Sequence, residues 1–225
     1  MAVEKCIQLI NDKKADVLMK GLLNTSDLLK GVIRNENKQN NKSLLSHCAV
    51  FELDTTDRLL YITDIGMNIS PNVDHKEKII NNTVKLCNSL GINNPKVAVV
   101  CAVEKINEKM SATLDAQELV IRNINKVIED CVVSGPFALD NAVSVHSAKI
   151  KDIEDMYAGK SDILLMPNIE SGNILYKALN YFTKCKSGGL ILGASIPIVL
   201  TSRSDSMDTK LNSILLAIHY FVKGI

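Results

Sequence analysis

Short apolar runs alternate along this chain with segments of helical periodicity. Several of the runs are apolar on both faces, which is typical of strands buried in a parallel sheet with helices on both sides. The clearest are KVAVVCAV (96–103), DCVVSGP (130–136), SDILLMP (161–167) and IPIVLTS (196–202). The alternation of strands and helices predicts the α/β class, with a mostly parallel sheet.

One pair of strands breaks this alternation. HCAVFEL (47–53) and RLLYITD (58–64) flank four turn-forming residues and predict a β-hairpin. An antiparallel pair within the sheet predicts that the sheet is mixed. The polar, asparagine-rich stretch 34–43 is interpreted as a surface loop and a hinge.

Composition narrows the range of partners. The 225 residues carry 26 basic and 25 acidic side chains, a net charge of +1 that gives no general attraction for nucleic acid or an acidic membrane. No apolar run reaches the roughly 20 residues of a membrane span, and the N-terminus lacks a signal peptide's apolar core. The six cysteines form no CxxC pair and the four histidines are dispersed, so no metal site is expected. These features predict a cytoplasmic protein with reduced thiols.

Ligands of open α/β sheets bind beyond the carboxyl ends of the strands, and polar clusters follow several predicted strands. The first, MKGLLNTSD (19–27), places Lys20 and Gly21 after a strand, and Asn24 and Thr25 at the start of a helix. Free N–H groups at a helix start, with a lysine nearby, suit a phosphate. An ordinary turn with a solvated lysine explains the same residues.

Two further clusters add polar groups. In MPNIESGNILYKAL (166–179), Asn173 and Lys177 can bind a carbonyl or a phosphate, although a capping loop explains the asparagine. The stretch PIVLTSRSDSMDTKLNS (197–213) is the most informative of the chain. An apolar strand there ends in a polar run that contains Ser202, Arg203, Asp205, Asp208 and Lys210. The planar guanidinium is the preferred partner of a phosphate, and a nearby carboxylate is either a general base or the structural partner of the arginine.

A fourth cluster, SLLSHCAVFE (43–52), supplies His47 at a strand start, and we interpret His47 as a wall residue of the cleft.

The absence of several motifs excludes other kinds of chemistry. GGLILGA (188–194) is not a dinucleotide-binding GxGxxG, and the chain contains neither a Walker lysine loop nor a GxSxG elbow. An anion-binding cleft with an arginine, lysines and a carboxylate remains.

These residues resemble one enzyme family. MPNIESGNILYKALNYF and GGLILGASIPIVLTSRSDSMDTKLNSILLA are similar to the phosphate butyryltransferases and the related phosphate acetyltransferases, and MKGLLNT, SHCAVFE and CVVSGPFALDNA match in the same order. This chain has TSRSDS where the acetyl branch usually has LSRG, so it is closer to the butyryl branch. The resemblance implies a two-domain fold of the isocitrate/isopropylmalate dehydrogenase type, with 1–42 plus 191–225 as a discontinuous domain, 43–190 as the other, and a homo-oligomer.

The resemblance also implies roles for the residues. Arg203 holds phosphate, Ser202 bonds the thiol or the developing oxyanion, and Asp205, with Asp208 as the alternative, takes the thiol proton. By the same resemblance, Lys20, Asn173 and Lys177 complete the anion site. The substrates are acyl-CoA and inorganic phosphate, with coenzyme A as co-substrate and no tightly bound cofactor. One alternative is the same chemistry with acetyl as the acyl group. Because family members begin with further βα units, a second alternative is a truncated, non-catalytic homologue that acts as a partner subunit.

Overall fold

A computed structural model describes residues 2–40 and 43–224. Within these residues the chain forms eight helices and eight strands. The strands are β1 (Leu18–Met19), β2 (Ser46–Leu53), β3 (Leu59–Thr63), β4 (Lys96–Val100), β5 (Val132–Phe137), β6 (Ile163–Leu165), β7 (Cys185–Leu192) and β8 (Ile198–Val199). The helices are α1 (Ala2–Asn11), α2 (Thr25–Lys38), α3 (Val73–Ser89), α4 (Ser111–Ile124), α5 (Leu139–Val143), α6 (Val145–Ile150), α7 (Ile169–Phe182) and α8 (Met207–Val222).

The strands form one mixed sheet in the order β1-β8-β7-β2-β3-β6-β4-β5. Four pairings between described strands are parallel, namely β1 with β8, β3 with β6, β6 with β4, and β4 with β5. The strand β2 is antiparallel to β3 and to β7, and β7 is antiparallel to β8. The predicted hairpin is therefore confirmed as β2–β3, and so is the mixed sheet.

Successive strand residues point to opposite faces of a sheet, and here both faces are buried. Cys48 and Val50 of β2 belong to a core that includes side chains of α3, α4 and α8. Ala49 and Phe51 of the same strand belong to a second core beneath α5, α6 and α7. A third core joins α2 to β1 and β8 at one end of the sheet. Helices on both faces, as predicted, explain why the strands are apolar throughout.

The prediction of a loop over 34–43 is wrong for its first half, because α2 continues to Lys38. The Glu36 carboxylate is buried and accepts hydrogen bonds from the Ser195 hydroxyl (2.7 Å) and backbone N–H (3.1 Å). Asn35 exchanges side-chain hydrogen bonds with Asn11 of α1. These distant partners stabilise a polar segment as helix. Residues 41 and 42 of the predicted loop lie outside the described residues.

The predicted division into domains stays a prediction. One sheet runs through both proposed domains, and β7 crosses the expected boundary between residues 190 and 191. Residues 1, 41, 42 and 225 of the predicted discontinuous domain lie outside the described residues. Within the described ranges, no helix has both the length and the apolar character needed to cross a membrane.

Candidate active site

A pocket of about 430 Å³ lies where several strands end on one side of the sheet. Its walls come from the segments that follow β1, β3 and β8, from the start of α2, from the first half to middle of α7, and from the start of β2. This volume falls within the range of about 300–1,000 Å³ that is usual for small-molecule sites. The lining residues are Lys20, Leu23, Asn24, Thr25, His47, Ile65, Gly66, Asn173, Tyr176, Lys177, Leu200, Thr201, Ser202 and Arg203.

The parallel pairing of β1 with β8 brings two basic residues to the pocket. Leu18 pairs with Ile198, so the two strands end side by side. Lys20 leaves β1 with its ammonium group held by the carbonyl oxygens of Gly21 (3.2 Å) and Leu23 (3.3 Å). Arg203 follows β8 and is exposed at the pocket wall. Sequence positions far apart thus supply one cationic wall.

The helix α7 supplies a third basic residue. Its N-cap is Asn168, whose side-chain oxygen accepts a hydrogen bond from the Ser171 N–H at 3.0 Å. The Asn173 amide donates to the Ile65 carbonyl oxygen at 3.1 Å, which fixes the helix start beside the segment after β3. Residues three and four positions apart share a helix face, so Tyr176 and Lys177 line the pocket with Asn173.

Gly172 makes this close approach possible. A Cβ atom at this position would overlap the backbone carbonyl oxygen of Asp64 and lie 3.2 Å from the Cα of Ile65. Any other side chain would therefore push α7 away from the end of β3. The glycine of the segment GNILYK (172–177) thus sets how deeply Asn173 and Lys177 reach into the site.

The electrostatics of the pocket favour an anion. Among the described residues, its lining contains three basic side chains, Lys20, Lys177 and Arg203, and no carboxylate. The Arg203 guanidinium makes no hydrogen bond or ion pair within residues 2–40 and 43–224, so its donors are available to a ligand. Three cations from three separate elements around one cavity attract a phosphate or an acyl phosphate.

Asp205 lies just outside the lining and is connected to it. Its carboxylate accepts the Ser202 backbone N–H at 2.6 Å and the Tyr176 hydroxyl at 3.4 Å. The Ser202 hydroxyl is 2.9 Å from that of Ser204. The carboxylate is therefore held at the rim, next to two lining residues, where it can accept a proton from a bound ligand.

The pocket contains eight of the twelve residues that the sequence predicts for the site. Of the remaining four, Asp205 contacts the rim, and Gly21 adjoins Lys20 without lining the cavity. Asp208 and Lys210 lie on the first turn of α8, which Ser206 caps by accepting the Thr209 N–H at 3.1 Å, and neither lines the pocket.

Sequence reasoning missed Tyr176. Its ring packs against Phe51 of β2 at a centroid distance of 5.9 Å, and burial raises its pKa well above the usual range. The residue stands three positions after Asn173, so the shared helix face could have indicated it. The contact with Phe51, 125 positions away along the chain, could not be inferred from that spacing.

The titration of two residues near the pocket is set by burial. Burial lowers the pKa of His47 to about 4, so its imidazole is neutral at pH 7. Burial raises the pKa of Asp64, while the N–H groups of Gly66 and Met67, each 2.8 Å from its carboxylate, oppose the rise. Within the described residues, no three histidine, cysteine or acidic side chains cluster as metal ligands.

The chain is similar to known enzymes along nearly its whole length. A family described as phosphate acetyl/butaryl transferase matches residues 2–218. The phosphate butyryltransferase of Clostridium acetobutylicum is 49% identical over 216 residues, which cover 96% of this chain and 72% of that protein. The phosphate acetyltransferase of Thermotoga maritima is 43% identical over 211 residues, with 94% and 72% covered.

A solved structure has the same fold. The crystal structure of a branched-chain phosphotransacylase from Enterococcus faecalis V583 matches with a TM-score of 0.89 at 35% sequence identity, covering 97% of this chain and 78% of that chain. This match confirms the predicted dehydrogenase-like α/β fold.

Proposed function

Because the chain belongs to the phosphate acetyl/butaryl transferase family, we propose that it exchanges an acyl group, butyryl or acetyl, between coenzyme A and inorganic phosphate. One observation carries the proposal: the pocket gathers Lys20, Lys177 and Arg203, with no carboxylate among the described residues of its lining. A dianion such as phosphate balances that charge, whereas a neutral substrate alone would leave three cations facing one another.

Phosphate binds between these three cations, and Arg203 makes the principal contact. The free guanidinium offers two parallel N–H groups to two phosphoryl oxygens, a geometry that an ammonium group cannot supply. As the tetrahedral intermediate forms, the same charge offsets the negative charge that develops on its oxygens. The Asn173 amide nitrogen donates one N–H to the Ile65 carbonyl oxygen, so its second N–H is left to donate to a phosphoryl oxygen.

The reaction replaces one bond at the acyl carbon with another. An oxygen of hydrogen phosphate attacks the thioester carbonyl, the C–S bond breaks, and the CoA thiolate leaves and takes up the proton that the phosphate loses. In the reverse direction Asp205 accepts the proton of the thiol, which is mostly protonated at neutral pH. Neither aspartate lines the pocket, but Asp205 is hydrogen-bonded to the lining residues Ser202 and Tyr176, which supports it over Asp208. Holding both substrates together supplies much of the acceleration.

The acyl group is butyryl on this proposal, in line with the 49% identity to a butyryltransferase against 43% to an acetyltransferase. Coenzyme A acts as co-substrate, and no cofactor is tightly bound. A cavity of about 430 Å³ accommodates phosphate and the reacting end of a short acyl thioester, so the nucleotide portion of CoA extends outside it.

The predicted division into two domains is retained as a proposal, because the pocket draws on both of them. Lys20 and Arg203 come from the discontinuous domain, residues 1–42 plus 191–225, whereas His47 and Lys177 come from residues 43–190. Hydrogen exchange with and without phosphate and CoA tests this division. Slowed exchange in the segments on both sides of the pocket supports it, and protection confined to one side contradicts it.

The protein acts in the cytoplasm as a homo-oligomer on this proposal. One face of α8 exposes a stripe of apolar side chains with helical spacing: Leu211, Leu215, Ile218 and Val222, each between 47% and 73% exposed. Such a stripe is typical of a surface covered by another copy of the chain. Light scattering after gel filtration tests this. Leu215→Glu is expected to break up the oligomer and so to reduce the molar mass of the particle in solution. A wild-type particle mass near 24.7 kDa, the mass of one chain, would contradict self-association.

Thiol release from acetyl-, propionyl- and butyryl-CoA by the pure protein, with and without phosphate, tests the proposed reaction. We expect release that requires phosphate and is fastest with butyryl-CoA. A folded protein that releases no thiol from any of the three in the presence of phosphate would refute the proposal and support the non-catalytic alternative. Equal release without phosphate would indicate a hydrolase.

A further inference from the structure

His47 is a half-buried residue of the pocket wall. It lies at the start of β2, where it pairs with Ile191 of β7. The backbone carbonyl of His47 accepts hydrogen bonds from Ile65 and Thr63. Its ring, in contrast, makes no hydrogen bond to any residue of 2–40 or 43–224. Polar groups in such surroundings normally find a partner, so the ring is available to a ligand.

Two glycines leave the space that the ring occupies. A Cβ atom at Gly66 would lie 3.0 Å from the His47 Nδ1 atom, and one at Gly189 would lie 3.4 Å from Nε2. Gly66 itself lines the pocket. Because glycine stands beside each ring nitrogen, neither of these two neighbours places a Cβ atom against the ring. The Nδ1 atom thus lies on the side of Gly66, a residue of the pocket lining.

The surroundings of His47 leave its imidazole neutral at pH 7. Lys20 after β1, Lys177 on α7 and Arg203 after β8 line the same pocket. The nearby carboxylate of Asp64 is engaged by donors of its own turn. Burial lowers the pKa of His47 to about 4. A neutral imidazole has one N–H donor and one acceptor nitrogen, and it is a weak base at pH 7.

We propose that His47 is a substrate-contacting residue that donates a hydrogen bond from its neutral ring to the carbonyl oxygen of the bound acyl group. This rests on the proposed acyl exchange. The three cations match the charge of phosphate, whereas the thioester carbonyl is neutral until attack begins. The apolar side chains of Ile65 and Leu200 in the same lining suit an acyl group.

The hydrogen bond strengthens as the carbonyl oxygen gains negative charge in the tetrahedral intermediate. His47 keeps its proton throughout, since the C–O bond to phosphate forms and the C–S bond breaks without any proton leaving the ring. The role thus differs from that of Asp205, which exchanges a proton with the thiol. A donor of this kind predicts no pH-dependent step in activity that belongs to histidine.

Three variants of His47 separate these roles. Phe fills the space but has no donor, Asn places an amide N–H near the Nδ1 position, and Gln places one near Nε2. We expect His47→Phe to lower kcat by about 100-fold, with the KM for phosphate nearly unchanged. Rescue of kcat to within about tenfold by Asn or Gln identifies which nitrogen donates. Wild-type kcat in the folded Phe variant would overturn the proposal.

Gly66→Ala provides a test in which His47 remains. Its φ angle is not in the left-handed region, so alanine causes no backbone strain, but the added methyl group crowds Nδ1. If Nδ1 is the donor, kcat should fall in this variant as it does in His47→Phe. Normal kcat in Gly66→Ala, together with rescue by Gln but not Asn, would contradict the assignment to Nδ1.

Imidazole ¹⁵N spectra of the wild-type protein give a readout that does not depend on activity or on any variant. We expect one of the four histidines, His47, to stay neutral from pH 8 to pH 5. Its N–H resonance should shift when butyryl-CoA is added, but not when phosphate alone is added. A His47 ring that titrates near pH 6.5, or that ignores butyryl-CoA, would refute the role. If the protein releases thiol with phosphate yet His47→Phe is fully active, the proposed function stands and only this inference fails.

Discussion

Gly172→Ala tests whether the depth of α7 in the pocket controls activity. In the interior of an exposed helix this change usually stabilises by about 1 kcal/mol, because alanine is the better helix former. Here the new methyl group would overlap the carbonyl oxygen of Asp64, and contacts at 3.1–3.2 Å to the next backbone atoms leave it no room. Relief requires α7 to move by roughly 1 Å, a displacement that can lower a reaction rate by about 100-fold.

We therefore expect Gly172→Ala to lower kcat/KM by about 100-fold and the free energy of unfolding by about 1–3 kcal/mol. Phosphate-dependent thiol release measures the first and urea unfolding the second. Ile174→Ala is the matched control, since Ile174 lies on the same helix with 68% of its surface exposed. A Gly172→Ala protein with wild-type kcat/KM and unchanged or higher stability would refute the reasoning.

Three further changes have separate readouts. Tyr176→Phe removes the 3.4 Å hydrogen bond to Asp205 but keeps the ring, so kcat should fall by about two- to tenfold. Unchanged kcat across pH 6–9 would exclude a positioning role. Lys76→Ala leaves the carboxylate of Asp115 without its buried partner, the Lys76 ammonium group at 2.6 Å. The free energy of unfolding measured in urea should fall by about 3–5 kcal/mol. A decrease of less than about 1 kcal/mol would contradict this. A disulfide reagent should modify exposed Cys6 rapidly, whereas the four buried thiols, whose pKa burial raises, should react only after unfolding. Rapid modification of several thiols in the native protein would refute that burial.

Much of the site could be predicted because it forms where strands end. Lys20, Arg203 and Lys177 are far apart in sequence, but each follows an apolar strand or lies on the helix after one. Strand order then brings them to one pocket. The rule that ligands bind at the carboxyl ends of strands in open α/β sheets was sufficient to select these residues without knowledge of the pairing.

The remaining features depend on contacts between distant regions of the chain. Asp208 follows the same strand as Arg203, but α8 begins at Met207 and carries it away from the pocket. The ring of Tyr176 is placed by Phe51, and the polar end of α2 is held as helix by the bond of Glu36 to Ser195. The spacing of residues in the sequence does not indicate the direction that a helix takes after a loop. It also does not indicate which residue of a distant element a side chain contacts.

The central claim is that Arg203 holds phosphate, and its kinetic constants test it most directly. We measure the KM for phosphate, the KM for butyryl-CoA and kcat in wild type, Arg203→Lys and Arg203→Ala. Loss of a charge-assisted bidentate contact should raise the KM for phosphate and lower kcat, with a combined loss in kcat/KM for phosphate of about 100-fold or more in Arg203→Ala. Arg203→Lys should recover only a fraction of it, while the KM for butyryl-CoA changes little. An Arg203→Ala enzyme with a wild-type KM for phosphate and wild-type kcat would contradict the account.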